Sequence, residues 1–269
     1  MIFVNNMCGI SGIINLKKKD IINDLYESLF HLQHMGQDSC GINTSDHKKL
    51  YTVKGQGLAR YIFTQNNLQK LKGFMGVGHV RYPTTGIITD NEIQPFYLNR
   101  PYGISLVHNG NIYNAIEIKE FLQDKEIHIN STSDSELLLN LIAYLLDESK
   151  ANKLVDNIVE VIKKVSEMCK GAYSVILMIQ GFGLVAFRDP YGIRPLIYGS
   201  KNDNFLITSE SICQQSLEYE NLTNIGKGEI IIIEKDSNQP KTIIYDDTKQ
   251  YTPCIFEYIY ISRAESVID

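Results

Sequence analysis

The chain has 269 residues, with 26 Lys and Arg against 31 Asp and Glu and a formal net charge of −5. That length supports a sizeable core in one large domain or two small ones; the charge leaves no basic footprint for nucleic acid, and no apolar run approaches the roughly 20 residues of a membrane span. Five scattered cysteines, none in a C-x-x-C pair, argue for a reducing, cytoplasmic compartment and against a disulfide framework or a structural zinc site.

Residues 1–7 lack the basic start and long apolar stretch of a secretory signal. Cys8 follows Met7 and opens the run Cys8-Gly9-Ile10-Ser11-Gly12-Ile13, and residues 9–15 read as a strand. As the first residue of a mature protein, after loss of a leader or a start at Met7, Cys8 carries a thiol and a free α-amine. The amine's pKa of roughly 7.7–8 lets it take the thiol's proton near neutrality. The competing reading is a buried cysteine at the head of an apolar strand.

Asp20 is placed to cap a helix with Ile21, Ile22, Leu25, Leu29 and Leu32 on one stripe. Gly36, in His34-Met35-Gly36-Gln37-Asp38, fits a left-handed C-terminal cap followed by a polar turn. Short strands are predicted at 39–44, 49–54, 74–82 and 103–108, punctuated by Gly, Asn and Pro. The third leads into Gly78 to Gly86, where Arg81 can hold a small carboxylate through two parallel hydrogen bonds or form a surface ion pair. After the fourth comes His108-Asn109-Gly110. The Asn109 amide and the Gly110 N–H can aim at one developing oxyanion, although Asn-Gly taken alone favours a turn.

Helices are predicted over about 115–124, 134–147 and 154–168. Ser133 or Asp134 caps the second, with Glu136 in its first turn, and Asp134 is equally placed to hold a substrate ammonium. Strands return at 172–179, 183–187, 204–208 and 228–234, with a supporting turn over 187–196 and a hairpin or exposed loop over 236–250. Blocks of strands, helices and strands indicate α+β layering rather than alternating βαβ units. Residues 261–269 read like a chain cut in mid-course.

Taken together, and in this order after Cys8, the segments Gln33 to Asp38, Lys54 to Leu58, Gly78 to Gly86, His108 to Asn114, Ser133 to Leu139, Asp189 to Pro195 and Cys254 to Arg263 resemble the class II glutamine amidotransferases. Within that family they resemble the branch that aminates phosphoribosyl pyrophosphate to 5-phosphoribosylamine at the start of purine synthesis. The resemblance implies an N-terminal-nucleophile (Ntn) hydrolase fold: α+β, a four-layer αββα sandwich of two antiparallel sheets. It implies glutamine as substrate and Cys8 as nucleophile. Arg81 then clamps the α-carboxylate, Asp134 holds the α-ammonium, Asn109 and Gly110 form the oxyanion hole, and Tyr82 is the aromatic associated with closure of the site. The chain divides into a leader (1–7), a glutaminase domain (8–250) and the start of a connection (251–269) to a phosphoribosyltransferase domain, the expected partner, absent here. A homo-oligomer is implied for the full-length protein.

Three features depart from the family. Met35 stands where Arg is usual, with Arg60 as the nearby cation that could compensate. Seven residues precede Cys8, and unless they are removed its nitrogen is an amide that cannot act as the base. The chain also lacks an acidic pair leading into a Gly-Thr-Thr phosphate loop, so the phosphoribosyltransferase half, with the Mg2+ it uses, is missing. No cofactor is expected in this chain. Members with a [4Fe–4S] cluster place one ligand at the position of Cys254, but the other ligands would lie in the missing half, so a structural Cys254 is favoured. Two rival readings remain. One is a degenerate, non-catalytic docking or regulatory domain, for which Met35 and the leader speak. The other is the glutaminase half of another sugar-phosphate amidotransferase, against which Tyr82 and the segment Glu257 to Arg263 speak.

Overall fold

The computed structural model describes residues 8–82, 90–149, 151 and 153–268. The expected leader, and Pro83 to Gly86 of the run after Arg81, lie outside the described residues. In chain order the strands are β1 (Gly9–Asn15), β2 (Ser39–Ser45), β3 (Leu50–Gln56), β4 (Met75–Arg81), β5 (Phe96–Leu98), β6 (Ile104–Ile112), β7 (Gly171–Ile179), β8 (Gly183–Arg188), β9 (Ile197–Lys201), β10 (Asn204–Thr208), β11 (Glu220–Asn224), β12 (Glu229–Glu234) and β13 (Lys241–Ile244). They form two sheets, ordered β11-β9-β10-β1-β4-β2-β3 and β13-β12-β8-β7-β6-β5. Every pairing described is antiparallel.

Three apolar layers bind these sheets and their helices into four tiers. Helix α1 (Ile22–His31) lays Leu25 and Leu29 on the outer face of the first sheet, against Ile13, Ile42 and Val80. Between the sheets, Ile10, Ile14 and Val77 meet Val107, Ile176 and Ile231. On the far side, α4 (Ala115–Asp124), α5 (Asp134–Glu148) and α6 (Leu154–Met168) cover the second sheet, with Leu138, Ile142 and Ile162 over Leu106, Val175 and Val185. Three α-helices are shorter: α2 (Ala59–Ile62), α3 (Gln65–Leu68) and α7 (Ser211–Ser216). Strand β1 explains its own sequence. It is buried on both faces, so Ile10 and Ile14 point between the sheets while Ile13 points under α1. Each such side chain contributes roughly 1.5–3 kcal/mol on burial. This is the αββα arrangement expected from the resemblance.

Several local expectations change. Asn109 and Gly110 do not sit in a turn: β6 runs on to Ile112 because β7 pairs with it as far as Gly171. Gly36 is extended, at φ −167 and ψ 129, so it is no left-handed cap. Its need for glycine is close approach, since a Cβ there would lie 2.5 Å from the Arg81 carbonyl carbon. Asp20 does serve α1, its Oδ1 accepting from the Ile22 N–H at 2.9 Å. The stretch 236–250 contributes β13. Strands β5, β9 and β11 have no counterpart in the sequence-based expectations. Residues 251–268 pack back on the body: the Cys254 N–H donates to the Ile193 carbonyl, and a π-helical turn, Glu257–Ile261, buries Glu257 and Ile261.

Candidate active site

The register of β1 against β4 pairs Gly9 with Val80, so Cys8 falls beside Arg81 at the strand end. Cys8 is buried, and its backbone N–H donates to Asn109 Oδ1 at 3.1 Å, crossing from one sheet to the other. Burial pushes the Cys8 thiol up to about 11, outweighing the backbone N–H of Tyr82 and the cations Arg81 and Arg194, which all favour the thiolate; Asp134 adds to the rise. The expected residues Arg81, Tyr82, Asn109 and Asp134 are thus gathered round one sulfur, which is protonated at neutral pH and needs a base to become a nucleophile.

Asn109 is fully buried, and pairing of β6 with β7 sets it opposite Ser174. With Oδ1 taken by Cys8, its Nδ2 has no hydrogen-bond partner among the described residues. An unpaired buried donor costs about 1–3 kcal/mol, and such exceptions need a reason; an acceptor that arrives with substrate supplies one. Gly110 follows with φ +157, and a Cβ there would lie 2.0 Å from the Ala172 carbonyl oxygen. No other residue lets β6 keep its place against β7.

The carboxylate and ammonium candidates stand on either side. Arg81 Nη1 and Nη2 lie 3.3 and 3.4 Å from Glu92 Oε2, and Glu92 Oε1 accepts from Thr132 Oγ1 at 2.5 Å. Helix α5 is capped by Ser133, whose side chain accepts from the Ser135 N–H, while Glu136 reaches back to the N–H groups of Asn130 and Ser131. Capping by these two leaves Asp134 to other work. Its Oδ2 accepts from the Ile112 N–H at 2.9 Å and its Oδ1 lies 3.9 Å from His108 Nδ1. Burial lowers the pKa of His108, partly offset by Asp134, and the ring stays neutral.

Arg60, named as the compensating cation, donates to the Tyr61 hydroxyl and stacks on that ring instead. Met35 is buried in the apolar layer under α1 with Leu32 and Val80. The second cation near Cys8 is Arg194, from the turn read as purely supporting; its Nη1 also holds buried Glu257 at 2.9 Å and lies 3.7 Å from Cys254 Sγ. Among the described residues no group of three His, Cys, Asp or Glu could hold a metal ion. No helix of the described residues is long and apolar enough to cross a membrane. The sequence reading missed Glu92, Gln94 and Arg194. Only Gln94 carried a local signal, a Gln-Pro step before a strand too short to show alternation.

Comparison with known proteins places this geometry in context. The family described as a glutamine amidotransferase domain matches residues 79–214. An amidophosphoribosyltransferase of Escherichia coli (strain K12) is 42% identical over 98% of this chain and 53% of its own length. One from Saccharomyces cerevisiae is 37% identical over 98% of this chain and 54% of its own length. The solved glutamine phosphoribosylpyrophosphate (PRPP) amidotransferase from B. subtilis, complexed with ADP and GMP, superposes with a TM-score of 0.85 at 32% identity, covering 97% of this chain and 54% of that one. The chain spans about half the length of the relatives it matches.

Proposed function

This chain belongs to the glutamine amidotransferase domain family, and we propose that it hydrolyses the side-chain amide of glutamine at Cys8, releasing glutamate and ammonia. The observation that carries the reading is the bond from the Cys8 backbone N–H to Asn109 Oδ1, which leaves Asn109 Nδ2 a donor without a partner among the described residues. In this mechanism Arg81 binds the α-carboxylate, taking it in exchange for Glu92, and Asp134 binds the α-ammonium. Once the residues before Cys8 are removed, its α-amine accepts the thiol proton. The sulfur adds to the amide carbon, and the oxyanion meets Asn109 Nδ2 and the Gly110 N–H. The amine returns the proton to the leaving ammonia, and water cleaves the thioester to glutamate. Tyr82 shields the site.

The relatives' names and their additional half support a wider role. Ammonia made here passes to a phosphoribosyltransferase partner domain, which aminates phosphoribosyl pyrophosphate to 5-phosphoribosylamine in purine synthesis. Met35 packs as a core residue in the apolar layer under α1, a role that does not speak for a docking-only reading.

The test is direct. Protein whose mature N-terminus is Cys8 is incubated with a glutamine-analogue diazoketone and mapped by mass spectrometry. One label on Cys8, absent in Cys8→Ala, with glutamate formed from glutamine, is expected; correctly processed protein that takes no label and forms no glutamate overturns the proposal.

A further inference from the structure

Strand β5 starts abruptly. Phe96 pairs with Leu106, so a strand continued backwards in the same register would set residue 94 against His108. Pro95 has no N–H to give a ladder, and β6 is left with an open edge at His108, one residue before Asn109. The Gln94 side chain fills that edge. Its Oε1 accepts from the His108 N–H at 2.7 Å and its Nε2 donates to the His108 carbonyl at 3.3 Å. Those are the two bonds that facing residues exchange in an antiparallel pair; here a side-chain amide stands in for a strand.

The second N–H of Nε2 donates to Ser135 Oγ at 3.1 Å, and Ser135 Oγ also lies 2.9 Å from His108 Nδ1 and 3.4 Å from Asp134 Oδ1. Gln94 is buried, and its backbone carbonyl oxygen presses on β2 so closely that a Cβ on Gly41 would approach it to 2.2 Å. The side-chain amide is held by β6 and by the N-terminus of α5, while the residue's backbone rests on β2 of the other sheet.

We propose that Gln94 is the positioning residue of the oxyanion hole. It makes no contact with substrate; it fixes the His108–Asn109 peptide, and with it the direction of Asn109 Nδ2 and the Gly110 N–H. The inference rests on the glutamine-hydrolysing reading of the site. A donor pair displaced by a fraction of an ångström still lets glutamine bind through Arg81 and Asp134 but stabilises the oxyanion less, so the loss falls on kcat.

The test compares wild type with Gln94→Met, which keeps length and loses all three bonds, and Gln94→Glu, which keeps only the bond from the His108 N–H. Turnover is expressed per titratable Cys8, so unfolded protein does not count. In both variants kcat falls about 10–100-fold while KM for glutamine moves less than about threefold, as a misplaced catalytic geometry implies. Alkylation of Cys8 by iodoacetamide, which uses no oxyanion hole, serves as the control and keeps its wild-type rate. A kcat per site within about twofold of wild type overturns the proposal. Amide hydrogen exchange supplies a readout that does not need glutaminase activity. Exchange at His108 rises at least about tenfold in Gln94→Met while Leu106 is unaffected; unchanged exchange at His108 overturns the inference. A wild-type protein without glutaminase activity overturns the proposed function instead.

Discussion

The backbone nitrogen of Cys8 and the side-chain oxygen of Asn109 meet at 3.1 Å, one from each sheet. This contact orients the Asn109 amide: with the oxygen committed, the NH2 group has to face elsewhere, and among the described residues it meets no acceptor. It also aligns the nitrogen that is to act as base with the hole that is to hold the oxyanion.

Protein that keeps the residues before Cys8 offers this contact an amide nitrogen with no basic lone pair. Its glutaminase kcat should be lower than that of the processed form by about 10²–10⁴, the span expected for a lost general base. Steady-state kinetics on both forms, with the N-terminus verified by intact mass, checks this.

In the unprocessed form the thiol stands at about 11, above its ordinary 9.0, because burial disfavours the thiolate. Its alkylation by iodoacetamide should therefore climb about tenfold per pH unit from neutrality and level off only near that value. In the processed form kcat/KM should instead rise through roughly pH 7–8, where the α-amine loses its proton. Arg194 favours the thiolate, so the pair Arg194→Met with Glu257→Gln, which leaves no lone buried carboxylate, should move the alkylation inflection upward. A downward shift contradicts the assignment.

Replacing Gly110 by Ala drives a Cβ to within 2.0 Å of the Ala172 carbonyl oxygen. The β6–β7 ladder must part locally, at a cost of about 1–3 kcal/mol for overpacking. The displaced donor should lower kcat by about 10²–10³ as well. Urea midpoints and turnover per titrated Cys8 separate the two effects.

Arg81→Ala should raise KM for glutamine about 10–100-fold, the weight of charge-assisted bonds worth about 1.5–3 kcal/mol. Glu92→Gln should act in the opposite direction. It removes the carboxylate now on Arg81, and an ion pair of up to about 1 kcal/mol corresponds to a KM roughly fivefold lower at most. A higher KM in Glu92→Gln would mean that Glu92 helps to hold the substrate's ammonium rather than competing with its carboxylate.

Helices α4 and α6 were legible with bounds close to the observed Ala115–Asp124 and Leu154–Met168, because an apolar stripe on a polar helix is a local pattern. Cys8, Arg81, Asn109 and Asp134 were legible as a set, and the fold brings them together. What was illegible depends on neighbours distant in the chain. Asn109-Gly110 looks like a turn until β7 arrives 60 residues later to hold it as strand. Gly36 looks like a helix cap, while its requirement comes from Arg81 on another strand. Strand β5 is three residues long, and Gln94 acts through its side chain, so neither leaves a periodic trace. Arg194 reads as part of a supporting turn, yet its guanidinium is buried against Glu257 from the chain's last twenty residues and bears on Cys8.

That last pairing carries a practical lesson for anyone trimming the polypeptide. Cutting after residue 250 would take away the carboxylate of Glu257 that pairs with the buried Arg194, a cation that favours the Cys8 thiolate. A shortened version made this way would be a poor proxy for the intact one, and its failure to react would say nothing about Cys8.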